Sequence, residues 1–502
     1  MPPLKSAVRR LDTRAAAIAL VVVAALWFMI DPPRVGDFWA AQARQSAALH
    51  GVGLRYWFSW FDGIVPGNYS VLTPFITPFV DAAWLGALST VVVVGLTHRL
   101  VRDSRHPIAA TWLAAIGATM SLWSGRIPFA LGTALMLLAL LGLRANRRIP
   151  TVLAAAGAAL ASPVSGVFLI LGVTGVLVHD RDRRLTAAAG AGVAGACLLG
   201  LAWYFGMPGP EGYPLTQAVL VPIGIGVLLL TRPPAYVRTV LLLSLAACPF
   251  LILVPNGMGS NFNRFTWICL PVAAAATARI PAWRSTLAAG LAVAVGVAGS
   301  ARDLYIAAQP ISSETYYAGL VTRLDHTPGL ADHRVEVVPD GTHVAAFVLL
   351  DHAQLARGYE TQSDNTYDRV LDSPSLDAAG YRAWLDANAV AYVALDRHTL
   401  SHNPEDRLVR DHRPGYLRTV WTDAHWMLFA VRDPVPIVAA PARVSDADQS
   451  NLVISVPRPG RYELRVHWSR FLRVPAGARL EPDGRGWSVL DTTRPGLYTL
   501  GS

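Results

Sequence analysis

"TVLAAAGAALASPVSGVFLILGVTGVLVH" spans residues 151–179, and the architecture turns on how it is read. A helix rises 1.5 Å per residue and the hydrocarbon core of a bilayer is about 30 Å thick, so about 20 apolar residues make one crossing. This run is long for one helix and short for two, and Ser162-Pro163 interrupts its middle. Basic residues on flanking loops discriminate between the two readings. If the run is a hairpin turning at Ser162-Pro163, the clusters at Arg9, Arg10, Arg14; Arg99, Arg102, Arg105; Arg144, Arg147, Arg148; Arg181, Arg183, Arg184; Arg232, Arg238; and Arg279, Arg284 all fall on one side. A single span would send every later cluster to the other side, against the retention of arginine in the cytoplasm. The hairpin is therefore expected.

Outward from this run, apolar stretches lie at 15–30, 78–97, 107–124, 127–143, 185–205, 214–231, 236–254, 265–279 and 285–300. With the hairpin they make about eleven spans, the N-terminus in the cytoplasm and the tail outside. The first run lacks a small-x-small cleavage pattern and meets "DPPR", so it reads as a retained anchor. The whole chain is 53% hydrophobic and 15% charged with a positive mean hydropathy, which fits a polytopic α-helical membrane protein and excludes an ordinary soluble one. Its net charge of +9 comes almost wholly from arginine, Lys5 being the sole lysine, and the basic clusters sit between apolar runs. Nucleic acid is not an expected partner. Cys197, Cys248 and Cys269 all lie in apolar runs, so no disulfide framework is expected.

Three regions follow: a membrane domain over 1–300 with a first outer loop at 31–77, an α/β domain over 301–433, and a β-sandwich-like domain over 434–502. In the tail, "ETYYAGLVTRL" and "DAAGYRAWLDANAV" read as helices, and "RVEVVP", "HVAAFVLL" and "AYVALD" as strands. Alternating strands between Pro-Gly and Asp-Gly turns mark the sandwich. Trp421, Trp426, Trp468 and Trp487 suit either its core or stacking on sugar rings.

Arginine should be scarce on the outer side, yet Arg126 and Arg264 stand where helices re-enter the bilayer, and Arg34, Arg44 and Arg55 occupy the first loop. Each can snorkel to lipid phosphate. Together with Asp31, Asp37 and Asp62 they also suit guanidinium forks holding a phosphate beside a working carboxylate. "DFWAAQARQSAALHG" has good helix formers, an acid at its start and glycine at its end, with Phe38, Trp39, Ala43 and Ala47 forming an apolar strip; an amphipathic helix in the outer interface is expected. The aromatic residues of "RYWFSWFDG" are expected at headgroup depth. Asn261 and Asn263 in "GSNFNRF" suit either turns or sugar hydroxyls, and Asp81 is an acid near the end of an apolar run.

An acidic residue after the first span, then an interfacial helix ending in glycine, then an aromatic stretch, on a polytopic chain with an outer tail, resembles the GT-C class of integral membrane glycosyltransferases. "WFDGIVPGNYSVLTPF", "SGRIPFALGTAL", "RVEVVP", "LARGYETQ" and "YRAWLDANAVAYVALD" more closely resemble a group of integral membrane proteins of the actinobacterial envelope. The GT-C resemblance implies transfer of a sugar from a polyprenyl-phosphate donor to an envelope glycan or glycolipid at the outer face of the cell membrane. It implies Asp37 as catalytic base, with Asp31 or Asp62 in reserve. Arg126 and Arg264 would hold the phosphate, Arg34 and Arg55 would support them, and Asn261 and Asn263 would meet the sugar. Neither metal-ligand spacing nor a phosphate-binding glycine loop is present, so no metal or cofactor is expected. A transporter of a lipid-linked precursor and a non-catalytic envelope protein are the other classes; the lack of an evident internal repeat weighs against the former.

Overall fold

A computed structural model describes residues 13–207, 209–398 and 403–502; Lys5, Arg9 and Arg10 of the first basic segment lie outside the described residues. The chain is mostly helical up to Ala307 and β-rich after it. Helix α1 (Arg14–Ile30) is followed by α2 (Gly36–Leu49) and then α3 (Ala82–Val101), α4 (Pro107–Trp123), α5 (Ile127–Arg144), α6 (Arg148–Ala161), α7 (Pro163–His179) and α8 (Arg184–Phe205). After these come α9 (Leu215–Leu229), α10 (Ala235–Leu253), α11 (Leu270–Thr277) and α12 (Ala282–Ala307). Five of them, α3, α5, α8, α10 and α12, are long and apolar enough to cross a membrane; α1, α4, α6, α7 and α9 are shorter apolar helices. The remaining apolar run is broken, with a short helical turn at Phe262–Arg264 and a π-turn at Phe265–Cys269 before α11.

The run at 151–179 folds back on itself. Helix α6 stops at Ala161, Ser162 is extended, and Pro163 opens α7, where its missing N–H costs nothing. Gly166 lies so close that a Cβ would stand 2.9 Å from that of Ala159. The far ends of the two helices meet through their loops, Arg183 Nε donating to the Arg144 carbonyl (3.1 Å) and Asn146 Nδ2 to that of Asp182 (3.2 Å). Arg144 also reaches Asp103 (2.6 Å), Arg105 N bonds Ala276 O (3.0 Å) and Arg279 N bonds Thr231 O (3.1 Å). The described basic clusters thus gather at one end of the helical bundle.

The opposite end carries the tail. A four-stranded sheet in the order β1-β2-β4-β3 is built from β1 (Arg334–Val337), β2 (Val390–Asp396), β3 (Leu417–Thr422) and β4 (Trp426–Val431), with β1 and β2 parallel. Two three-stranded antiparallel sheets complete it: β10-β6-β5, from β5 (Arg443–Ala447), β6 (Leu452–Val456) and β10 (Gly496–Leu500), and β7-β9-β8, from β7 (Gly460–His467), β8 (Ala478–Pro482) and β9 (Trp487–Thr492). "HVAAFVLL" contains a short helix, Ala345–Val348, in place of the expected strand; an apolar run of that length suits either state when buried. Nor does the tail begin at 301, because α12 continues to Ala307. Trp426 is core, while Trp468 is 42% exposed.

The largest departure concerns the first loop. Tyr56, Trp57, Phe58, Trp60 and Phe61 are fully buried in protein instead of facing headgroups. Trp57 and Trp60 join the core of the α/β unit, and Trp60 Nε1 donates to Ala346 O (2.9 Å); Tyr56 and Phe58 join the sandwich core, and the Tyr56 hydroxyl donates to His467 O (2.7 Å). The strip on α2 likewise faces protein, Trp39 stacking on Phe347 at 5.0 Å. Asp62 follows, 2.7 Å from Arg334, both side chains being 1% exposed. Burial pushes the Asp62 carboxyl up to about 7 against the pull of Arg334 and Arg465. Phe61 and Asp62 both hold left-handed backbone (φ 51° and 58°), a conformation bulky residues keep only where their surroundings fix it.

Removing one member of a buried ion pair leaves an uncompensated charge, so Asp62→Ala is expected to destabilise the protein by about 3–5 kcal/mol, and adding Arg334→Met should restore much of the loss. Thermal unfolding of the two variants checks this. Burial also pushes the His467 imidazole, whose Nδ1 lies 2.9 Å from Phe61 O, down to about 4. The native state therefore prefers neutral His467, and its contribution is present above about 6.5 and lost as pH falls toward 4. Melting temperature should drop across that window more steeply in wild type than in His467→Phe.

Candidate functional site

Three segments distant in sequence meet where α2 begins. The turn between α4 and α5 contains Gly125 (φ +76°), and a Cβ there would lie 2.3 Å from the Phe38 nitrogen, so glycine alone lets this turn seat against α2. That seating brings Arg126, the next residue, to Asp37 in the first turn of α2. Arg264, placed by the short turn before the π-turn, comes in from a third direction and lies over the Phe129 ring at 5.4 Å.

Asp37 Oδ2 is 3.5 Å from Arg126 Nε and 3.8 Å from Arg264 Nη2, while Oδ1 accepts a 2.9 Å hydrogen bond from the Tyr359 hydroxyl. Arg126 Nη2 is also 3.8 Å from Asp303 near the end of α12. These guanidinium distances exceed hydrogen-bond length, so the cations lean on the carboxylates without spending their donors, and Arg126 Nε is buried without a hydrogen-bond partner. Side-chain exposures of 30% for Asp37, 23% for Arg126 and 21% for Arg264 leave all three reachable.

Beside them lies a cavity of about 170 Å³. Its lining mixes polar side chains, among them Ser121, Arg126, Gln217, Asn263 and Arg264, with apolar or small ones, among them Gly117, Trp267, Ile268, Val293 and Gly296. Ser121 Oγ, Gln217 Oε1, Asn263 Oδ1 and Trp267 Nε1 are buried without partners. Buried polar atoms are nearly always satisfied, and such a concentration marks a place that receives polar ligand or solvent atoms.

Asn261 lines the same cavity, but its amide donates to Glu211, which also accepts from Ser260 and from Gln362 Nε2 (2.9 Å). Burial raises the Glu211 carboxyl above the usual range. This clasp ties Glu211 to the turn just before Arg264 and to Gln362 of the tail. The His343 ring lies 4.3 Å from that of Tyr359, and burial lowers its pKa.

Other residues expected at the site are elsewhere. Asp62 is sealed against Arg334, so it is withdrawn as reserve base. Asp31 ends α1 exposed, and Arg34 and Arg55 are exposed and outside the cluster. Asp81 accepts from Ala83 N (2.8 Å) as the cap of α3. Arg44 pairs with Glu360 at 3.4 Å and covers the Tyr69 ring at 4.0 Å. Tyr359, Asp303, Glu211 and Gln217 were not anticipated; Tyr359 lies within "LARGYETQ", but nothing local in the sequence ties it to Asp37. Among the described residues no group of three His, Cys, Asp or Glu is arranged to hold a metal ion.

No protein-family model matches the sequence, and no curated protein matches it. Gly125→Ala is expected to strain the turn by about 1–3 kcal/mol and to push α2 away, parting Arg126 from Asp37. A lowered melting temperature would report it; an unchanged one would mean the turn yields without strain.

Proposed function

We propose that the protein is an eleven-span membrane glycosyltransferase of GT-C type, with its basic end in the cytoplasm and its tail outside. It moves a sugar from a polyprenyl-phosphate donor to a glycan or glycolipid acceptor of the cell envelope. The observation that carries this reading is the pairing of Asp37 with two under-used guanidinium groups, Arg126 and Arg264, that themselves line a cavity of mixed polar and apolar residues. A cavity lined by both kinds of residue suits an amphiphile with an anionic head and a hydrocarbon chain, and arginine forks match phosphate oxygens.

In this reaction Asp37 removes the proton from the acceptor hydroxyl as its oxygen bonds to the anomeric carbon. The bond from that carbon to the phosphate oxygen breaks, its electron pair leaves with the lipid phosphate, and Arg126 and Arg264 stabilise the charge gained there. Tyr359 holds Asp37 Oδ1, which fixes the direction from which Oδ2 meets the hydroxyl.

Membranes containing the protein, supplied with radiolabelled polyprenyl-phosphate sugars, should form a labelled glycan product. Asp37→Asn should slow transfer about 10²–10⁴-fold, the range of a lost general base. Arg264→Ala should weaken donor use while leaving Asp37 in place. Transfer that is equal in Asp37→Asn would refute the assignment, and movement of labelled lipid across the membrane without product would support a transporter of the precursor.

A further inference from the structure

A second cleft opens at the junction of the first loop, the α/β unit and the sandwich, with a volume of about 940 Å³. That is the size of clefts that take small molecules or a few linked sugar units. His50 and Ser59 line it from the first loop, and Gln354 and Gln449 from the tail. Five aspartates line it with one arginine, Arg443, which makes it hostile to phosphates and acidic chains.

The hydrogen bonding of these groups narrows the ligand. Asp325 uses Oδ1 for His352 (2.7 Å), Asp332 for Val444 N (2.6 Å), Asp351 for Gln449 Nε2 (2.6 Å), Asp446 for Ala447 N (3.0 Å) and Asp448 for Ser450 N (2.6 Å). Each Oδ2 makes no hydrogen bond to a described residue. Gln354, 9% exposed, has neither amide atom bonded, and Gln449, 3% exposed, has Oε1 unbonded. The Gln354 amide needs a partner that both donates and accepts, and Gln449 Oε1 needs a donor. A hydroxyl does both; an ammonium only donates, and a phosphate dianion only accepts. Free carboxylate oxygens accept from hydroxyls in the same way.

From this we infer that the cleft binds a neutral, polyhydroxylated chain, namely an uncharged glycan, by its hydroxyl groups. The cleft lies at the far end of α2 from Asp37, about 20 Å away for its length at 1.5 Å per residue. Binding there requires no transfer chemistry, so the inference stands whether or not the transferase reading does.

The test uses the full chain in detergent, titrated calorimetrically with neutral tetra- to hexasaccharides of glucose, mannose, galactose and arabinose, with oligolysine and inorganic phosphate as contrasting probes. At least one neutral chain should bind saturably. Asp446→Arg, a change at an exposed rim position, and Gln354→Leu, of similar volume, should each weaken it roughly tenfold, as expected for loss of one or two hydrogen bonds to a charged or buried group. Asp37→Asn should bind as wild type does, which separates this site from the transfer site. Absence of binding by all four sugars, binding of oligolysine in their place, or sugar binding unaltered in a normally folded Asp446→Arg protein would overturn the inference.

Discussion

Burial of the Tyr56–Asp62 segment inside the tail is the contact on which the other arrangements rest. Its rings supply side chains to two cores at once, those of the α/β unit and of the sandwich, and aromatic side chains are the largest single contributors of buried apolar area. Asp62 and Arg334 then close the joint with opposite charges that have no route to water. A segment that follows the second helix therefore serves as interior for a domain encoded some 270 residues later. Separating the two would expose indole rings and strand a charge together, and this makes the joint far more definite than a loop resting on a surface.

Charge is distributed by two different rules at the two ends of the bundle. At the basic end most arginines are exposed, and their contacts are largely with carbonyls at the C-terminal ends of helices and with Asp103 and Asp180, which need little desolvation. At the other end the buried or half-buried arginines are matched to acids: Arg44 to Glu360, Arg126 to Asp37 and Asp303, Arg357 to Glu336 and Glu405. The Arg357 pairs are short and enclosed, and Arg44–Glu360 is longer but equally enclosed. The Asp37 set differs in being shared between two guanidinium groups that line a cavity and in being more exposed, and that contrast separates a ligand-facing cluster from structural pairs of the same composition.

Sequence carried the helical plan well, because the signal for it is one-dimensional. Run length gives a mostly helical first part, though only five of the described helices are long and apolar enough to cross a membrane and the run at 265–279 is broken. Proline after Ser162 gives the reversal, and arginine placement gives the common end. It singled out Asp37, Arg126 and Arg264, which the fold brings together, for the same reason: each sits at an element boundary where its residue type is unexpected. What failed needed a third dimension. Aromatic residues prefer a headgroup region and a domain core alike, so "RYWFSWFDG" was placed in the wrong one of two apolar settings. Asp62 and Asp37 look equivalent along the chain, and only the position of Arg334 tells them apart. Tyr359, Asp303 and Glu211 reach the site from elsewhere in the sequence, and no local pattern marks such convergence.

Helix α2 links these observations into one mechanical argument. Near its start, Tyr359 of the tail holds Asp37 while the Gly125 turn of the membrane domain presses on Phe38. Near its end, Gln449 of the sandwich donates to Ser46 (3.0 Å) and to Asp351 (2.6 Å). A rod held near both ends by the tail and at one end by the bundle cannot tilt unless the tail moves with it. The distance between Asp37 and its guanidinium partners is consequently set by how the tail sits on the helices, and anything that grips the tail acts on that distance through α2.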